Sequence, residues 1–149
     1  MLIEAIKRQF ENAFSVLEGA IPSFTPEQWR SGRPPYVGPA RTTAHLLQCG
    51  ECYTHGDRSV FMNLGKRVSE MTDGDLPSQE KMLEYLSEVR SKTLQWADSI
   101  GDAGLDKPLA EDQPIALERL VYAMRHFQHH AGEVCAFQKQ FGMEPAPWK

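Results

Sequence analysis

The chain has 149 residues, of which 41% are hydrophobic and 24% are charged, and its formal net charge is -4 at pH 7. This length suits one domain, spanning residues 1–149, with a sizeable buried core. A mildly acidic chain without a lysine- or arginine-rich stripe has no electrostatic basis for binding nucleic acid, which normally needs a basic face.

The N-terminal segment and the cysteines indicate where the protein resides. Residues 1–14 interleave charged with apolar residues, whereas a secretory signal peptide groups its charge before an apolar run. No segment approaches the roughly 18 uninterrupted apolar residues that a membrane span needs. The three cysteines are an odd number, which favours reduced thiols over a disulfide framework. We therefore expect a cytoplasmic protein that does not insert into a membrane.

Apolar periodicity predicts four helices in chain order. The first covers Leu2–Ala20, with apolar residues at three- and four-residue steps. The second begins at Pro39 or Ala40 and ends near His55. Ser78 is the N-cap of the third, whose seam extends to Ile100. The fourth runs from Pro114 to Phe141 and stops at a glycine.

The connections between these helices are rich in proline and glycine. Residues 21–39 contain five prolines and two glycines, which allow only a short helical turn after the N-cap Thr25. An extra turn is expected around Val60–Leu64, and residues 101–113 form another loop. Because no strand pattern competes, the sequence predicts an all-α protein, an antiparallel four-helix bundle.

The histidines are the candidate metal-binding residues of the sequence. On a helical wheel His129 shares a face with charged and polar residues, whereas His126 and His130 lie at the edge of the apolar band. These two are one turn apart, the spacing by which two imidazoles reach a single metal ion. His45, followed by two leucines, is the natural third ligand from another helix. Judged on spacing alone, half-buried, hydrogen-bonded histidines or a surface pair explain the pattern equally well.

The segment 120–133, LVYAMRHFQHHAGE, resembles the last helix of the DinB-like superfamily (damage-inducible, YfiT-like) of metal-binding bundles. That family shows an arginine–histidine pair, a second histidine four residues later and then a glycine, as at Arg125, His126, His130 and Gly132. Weaker similarities occur in the first loop (residues 25–29), the second helix (44–48) and the glycine- and proline–tryptophan-containing tail (142–148).

The resemblance implies a homodimeric antiparallel four-helix bundle that holds a divalent ion, zinc or nickel, with three histidines. By similarity these are His45, His126 and His130, which leave one position open for water or a thiol. Cys49 is the alternative second-helix ligand, because many relatives place that histidine nearer the middle of the helix and Cys49 is one turn from His45. We favour His45, since the His-Leu-Leu-Gln run followed by Tyr53 reads like a variant of the family.

The remaining motifs give weaker indications of function. Cys49 and Cys52 are separated by two residues, but they lie inside a helix with no preceding strand, so small packing residues are a better interpretation than a redox pair. Three tyrosines, Tyr36, Tyr53 and Tyr122, are candidates for lining a pocket beside the metal. The chain lacks the glutamate-x-x-histidine pairs of di-iron bundles.

Two functions from different classes follow. The first is a metal-dependent thiol S-transferase or hydrolase that acts on a small molecule, because some members of this superfamily transfer small thiols to electrophiles. The second is a non-catalytic, stress-related metal-binding dimer. The sequence contains no motif that positions a general base, so it does not choose between them.

Overall fold

The computed structural model of the protein describes residues 1–55 and 64–149. Its long helices are α1 (Leu2–Ala20), α3 (Pro39–His55), α4 (Gln79–Gly104) and α5 (Ala116–Gln140), and α2 (Pro26–Arg30) is short. The described residues form no β-strand, only two isolated bridges, so the predicted all-α class is confirmed. Apart from Leu64, the extra turn predicted around Val60–Leu64 lies outside the described residues.

The caps predicted for two helices are present. The Thr25 hydroxyl accepts a hydrogen bond from the Gln28 amide, and the Gln28 side chain bonds back to the Thr25 amide, which closes a capping box on α2. The Ser78 side chain accepts a hydrogen bond from the Lys81 amide at the start of α4. Local sequence therefore determines where these two helices begin.

The end of α4 differs from the prediction. Gly101 adopts a positive φ of 57°, but the chain then resumes helical geometry as far as Gly104 instead of entering a loop. This added turn places the Asp102 carboxylate where it accepts hydrogen bonds from the amides of Leu2 (2.6 Å) and Ile3 (3.2 Å). A residue 100 positions away thus caps α1, which has no side-chain cap from its own N-cap residue.

The four long helices pack in a ring, α1 against α4 and α5, and α3 against the same two helices. The ring of Phe127 on α5 lies at the centre, in edge contact with Phe10 (5.9 Å between centroids) and Phe14 (4.9 Å) of α1. The predicted apolar stripe of α1 is buried throughout, at Ile3, Ile6, Phe10, Ala13, Phe14 and Leu17. None of the described helices is long and apolar enough to cross a membrane.

The apolar band predicted from the sequence of the last helix is only partly buried; its residues are Leu117, Leu120, Val121, Met124, Val134 and Phe141. Leu120 and Val134 are fully buried, but Val121 and Phe141 are each 38% exposed. The buried stripe continues through Ala123, Phe127, Ala131 and Gln138 at three- and four-residue steps, and Val121 lies about 100° from Leu120 on the helix surface. The outer side of α5 therefore presents Val121 to solvent, while Phe141, just beyond the helix, keeps an edge contact with the buried ring of Phe24.

The segment after residue 63 is held against α3 by buried polar side chains. Arg41 is fully buried and donates hydrogen bonds to the Met71 carbonyl (3.1 Å) and the Asp73 carboxylate (2.6 Å). The Gln48 amide group donates to the Lys66 carbonyl and accepts from the Val68 amide. These contacts fix residues 66–73 beside the middle of α3, where they form one wall of a cleft.

Candidate metal centre and adjacent cleft

The three histidines predicted as ligands come together between α3 and α5. The ring centroids of His45 and His130 are 4.8 Å apart, those of His126 and His130 4.5 Å, and those of His45 and His126 5.4 Å. His126 and His130 occupy successive turns of one helix, so their rings project to the same side. His45 faces them because the two leucines that follow it are buried in the core and fix the orientation of α3.

The environment of His45 and His126 favours neutral imidazoles. Burial, followed by repulsion from the neighbouring histidines, lowers the pKa of His126 to about 4, and burial together with His130 lowers that of His45. A neutral imidazole keeps the lone pair that a metal ion requires. His126 Nδ1 is buried and has no hydrogen-bond partner among the described residues, which is a costly state for a polar atom.

His130 has a carboxylate partner that the sequence reasoning missed. Its Nδ1 lies 2.6 Å from a Glu133 carboxylate oxygen, and its side chain is only 15% exposed. Because a carboxylate accepts hydrogen bonds, Nδ1 is the donor in this contact, and Nε2 is the nitrogen left to face a metal ion. The spacing of three residues on one helix is the signal that sequence reasoning had available for this pair.

Cys49 also lies at the histidine cluster. Its Sγ is 3.8 Å from both ring nitrogens of His45, and donor atoms of His45, Cys49 and His126 lie within 4.8 Å of one another. Burial and the nearby Cys52 raise the pKa of Cys49 to about 11, so its thiol is neutral around pH 7. The donor atoms that meet this distance are those of Cys49 and two of the predicted histidines, whereas His130 approaches these two histidines at the distances between ring centroids given above.

His129 points away from the cluster, toward solvent. Its side chain is 66% exposed, and its Nε2 lies 3.5 Å from the other carboxylate oxygen of Glu133. Donor atoms of His129, His130 and Glu133 also lie within 4.8 Å of one another. This second group is more exposed to solvent than the first. His130, its most buried member, already forms a hydrogen bond with the Glu133 carboxylate.

A cleft of about 410 Å³ opens beside the histidines. Tyr36 stacks at 4.5 Å from the His45 ring, and Tyr53 contacts His126 at 5.5 Å and Tyr122 at 5.6 Å between centroids. All three tyrosines named from the sequence line the cleft. A volume of this size accommodates a small organic molecule.

The cysteine pair is placed differently from the prediction. Cys49 and Cys52 are only half-buried, and both line the cleft. Small residues buried at a helix contact is therefore the wrong interpretation. The residue at that contact is Gly50, which lies against Phe127.

No family model, curated protein or solved structure matches this chain. Membership of the DinB-like superfamily stays a prediction based on the sequence motifs. The donor groups themselves are a property of the described residues: histidine, cysteine and glutamate side chains stand close enough to hold a metal ion.

Proposed function

We propose that this chain is a divalent-metal-binding protein of the DinB-like type, with zinc or nickel held by His45, His126 and His130. The observation that carries the proposal is the convergence of three imidazole rings from two helices, one of them with a buried nitrogen that lacks a hydrogen-bond partner. A buried unsatisfied polar atom costs about 1–3 kcal/mol, a penalty that a metal–nitrogen bond offsets.

The donor set fits the two metals. Imidazole nitrogens suit zinc and nickel, and the neutral state of His126 removes the competition from protons near pH 7. The Glu133 carboxylate fixes the ring of His130 with Nε2 free. Metal-binding histidines generally donate their second nitrogen to such a partner.

The activity proposed for this centre is transfer of a small thiol to an electrophile. A bound divalent ion lowers the pKa of a thiol so that the sulfur is a nucleophile at neutral pH. The sulfur attacks the electrophilic carbon, a sulfur–carbon bond forms, the leaving group departs with its electron pair, and the thiol proton goes to solvent. No Asp or Glu lines the cleft in the described part of the chain, so hydrolysis lacks a carboxylate base there, and thiol transfer needs none.

A non-catalytic metal-binding protein is the second candidate, and Cys49 favours it. The sulfur is close enough to His45 and His126 to serve as a further ligand. Three imidazoles and one thiolate would complete four-coordination, which is typical of structural zinc. The protein would then occupy all four coordination positions of the metal, and none would be open toward the cleft.

A thiol-consumption assay separates the two candidates. Protein loaded with zinc or nickel is incubated with cysteine and chlorodinitrobenzene, and the loss of free thiol is followed above the uncatalysed rate. We expect turnover for the loaded wild type and for Cys49→Ser, and none for His126→Ala. Full metal content without any turnover would favour the non-catalytic candidate.

Three further properties belong to the same proposal. We infer that the bundle is antiparallel, that two copies associate, and that the protein acts in the cytoplasm on a small molecule rather than on nucleic acid. Sedimentation equilibrium measures the association directly. A mass equal to one chain at micromolar concentration would contradict the dimer.

A further inference from the structure

The charged side chains in the described lining of the cleft differ in sign from the net charge of the chain. The net charge is -4, yet, histidine aside, the charged side chains that line the cleft in the described part of the protein are two arginines, Arg67 and Arg119. A cleft with one sign of charge attracts ligands of the other sign.

Arg119 is the more informative of the two. Its guanidinium carbon lies 5.6 Å from the centroid of the Tyr53 ring, and its side chain is half-buried. Within residues 1–55 and 64–149 it forms no side-chain hydrogen bond and no ion pair. The contact with Tyr53 is a cation–π interaction, which contributes only part of what a half-buried arginine loses in hydration.

This arrangement leaves the donors of Arg119 available. A guanidinium carries five N–H donors, and their fork matches the two oxygens of a carboxylate. Tyr53 in turn contacts His126, so a single aromatic ring separates the guanidinium from the histidine cluster. A molecule anchored at Arg119 therefore extends over aromatic surface toward the histidines.

We propose that the cleft binds a small carboxylate with a flat apolar body, and that Arg119 recognises the carboxylate. The body packs against Tyr53 and Tyr122, and its far end lies near His45 and Cys49. A cleft of about 410 Å³ fits a molecule of this size and is too small for a folded partner. That the ligand is a substrate rests on the proposed function, whereas its binding does not require metal.

The test uses metal-free full-length protein and two probes of the same shape, phenylacetate and phenylacetamide. Chelator is removed before titration, because chelators are themselves carboxylates. Nuclear magnetic resonance follows the amide signals of Tyr53, Arg119 and Tyr122. We expect saturable shifts with phenylacetate and at least about tenfold weaker binding of phenylacetamide, because the neutral amide loses the charge-assisted pair.

Substitutions of Arg119, with a control at Arg125, test whether Arg119 recognises the carboxylate. Arg119→Gln should weaken phenylacetate binding roughly tenfold or more, and Arg119→Lys should give an intermediate loss, because lysine keeps the charge but not the fork. Arg125→Gln, an exposed arginine on the same helix that does not line the cleft, should change nothing. The lysine variant decides the matter if the glutamine variant fails to fold.

Equal binding of the two probes, the same loss in Arg125→Gln as in Arg119→Gln, or no saturable binding of phenylacetate would each overturn the proposal. These outcomes are independent of the metal centre, since the titration contains no metal. Failure of carboxylate binding together with normal metal loading would refute the recognition by Arg119 alone. Normal carboxylate binding without metal loading would refute the proposed function alone.

Discussion

The Glu133 carboxylate and the His130 ring form the shortest side-chain contact at the histidine cluster, 2.6 Å between oxygen and Nδ1. This contact holds the ring while His45 approaches it from the other helix, at 4.8 Å between centroids. A ligand held in one orientation loses less entropy when it binds a metal ion. In the proposed centre, Glu133 acts through His130 and is not itself a ligand.

Substitution of Glu133 by glutamine should weaken metal binding about 10- to 100-fold, because the amide is a poorer acceptor for the Nδ1 proton. Competition with a chromophoric chelator measures the affinity. Glu118→Gln is the matched control, since Glu118 is exposed on the same helix and lies outside the cluster. Equal affinities for the Glu133 variant and the wild type would show that the carboxylate does not position the ring.

Some features of the site could be predicted from the sequence, and others could not. His126 and His130 were predicted as a pair because helical spacing decides which side of a helix they share, whereas His45 was predicted from the two leucines that follow it and from the family resemblance. Cys49 was named as the alternative ligand one turn from His45, and the two side chains are in contact. The stacking of Arg119 on Tyr53 was not predicted, because it depends on side-chain conformations and on how two helices approach, which periodicity does not specify.

At the scale of elements, α3 and α5 approach closely because Gly50 has no side chain. A Cβ there would lie 2.5 Å from Phe127 Cζ and 3.0 Å from Val89 Cγ1. Phe127 is itself enclosed by Phe10 and Phe14, so it has little room to move. The same approach sets the separation of His45 from His126.

Gly50→Ala should therefore lower the free energy of unfolding by roughly 1–3 kcal/mol, as overpacking of a core does. Gly132→Ala on α5 is the control. It meets no atom within 4 Å, and it should raise stability by about 0.5–1 kcal/mol through helix propensity. Urea unfolding measures both, and a Gly50 variant as stable as the wild type would contradict the close packing.

A buried polar group joins α3 to α4. The Tyr85 hydroxyl donates to one oxygen of Glu51 at 2.7 Å, and the Lys92 ammonium donates to the other at 2.5 Å. Burial, and then the hydrogen bond to Glu51, raise the pKa of Tyr85 well above its usual range. The folded state thus favours the neutral phenol.

The sign of the pH dependence follows from this raised pKa. The contribution of Tyr85 to stability is fully present below the unfolded pKa of about 10 and is lost as the pH rises above it. Tyr85→Phe should cost about 1–3 kcal/mol near pH 8, because Glu51 loses a donor, and should flatten the decline of stability above pH 10. Urea unfolding at both pH values is the measurement, and an unchanged slope would contradict the assignment.

Helix boundaries were predictable where the signal is local. Thr25 and Ser78 determine the starts of α2 and α4 through their own side chains. The cap of α1 was not predictable, because Asp102 comes from the far end of the chain. The extra turn that carries Asp102 follows a glycine at positive φ, where sequence alone predicts that the helix ends.

For the whole molecule, we expect the core to stay folded without the proposed metal ion. The histidines lie beside the cleft, while the buried apolar side chains of α1, α3, α4 and α5 form one continuous cluster. Each fully buried large side chain contributes about 1.5–3 kcal/mol. We therefore expect the packed helices, rather than a single ion, to hold the fold together.

Removal of metal should lower the melting temperature and leave the helices formed at about 25 °C, unlike a zinc finger, which unfolds without its ion. Far-ultraviolet circular dichroism before and after treatment with a chelator is the measurement. Loss of most of the helical signal would make the metal structural. It would also weaken the proposed thiol transfer, because a closed structural site has no open position.

The metal content of single-alanine variants tests the central claim most directly. Protein purified with excess zinc or nickel is dialysed, and bound metal per chain is determined by elemental analysis. We predict close to one ion per chain for the wild type and His129→Ala, and little or none for His45→Ala, His126→Ala and His130→Ala, with Cys49→Ala deciding whether the sulfur contributes. An ion retained by His126→Ala but lost from His129→Ala would contradict the account.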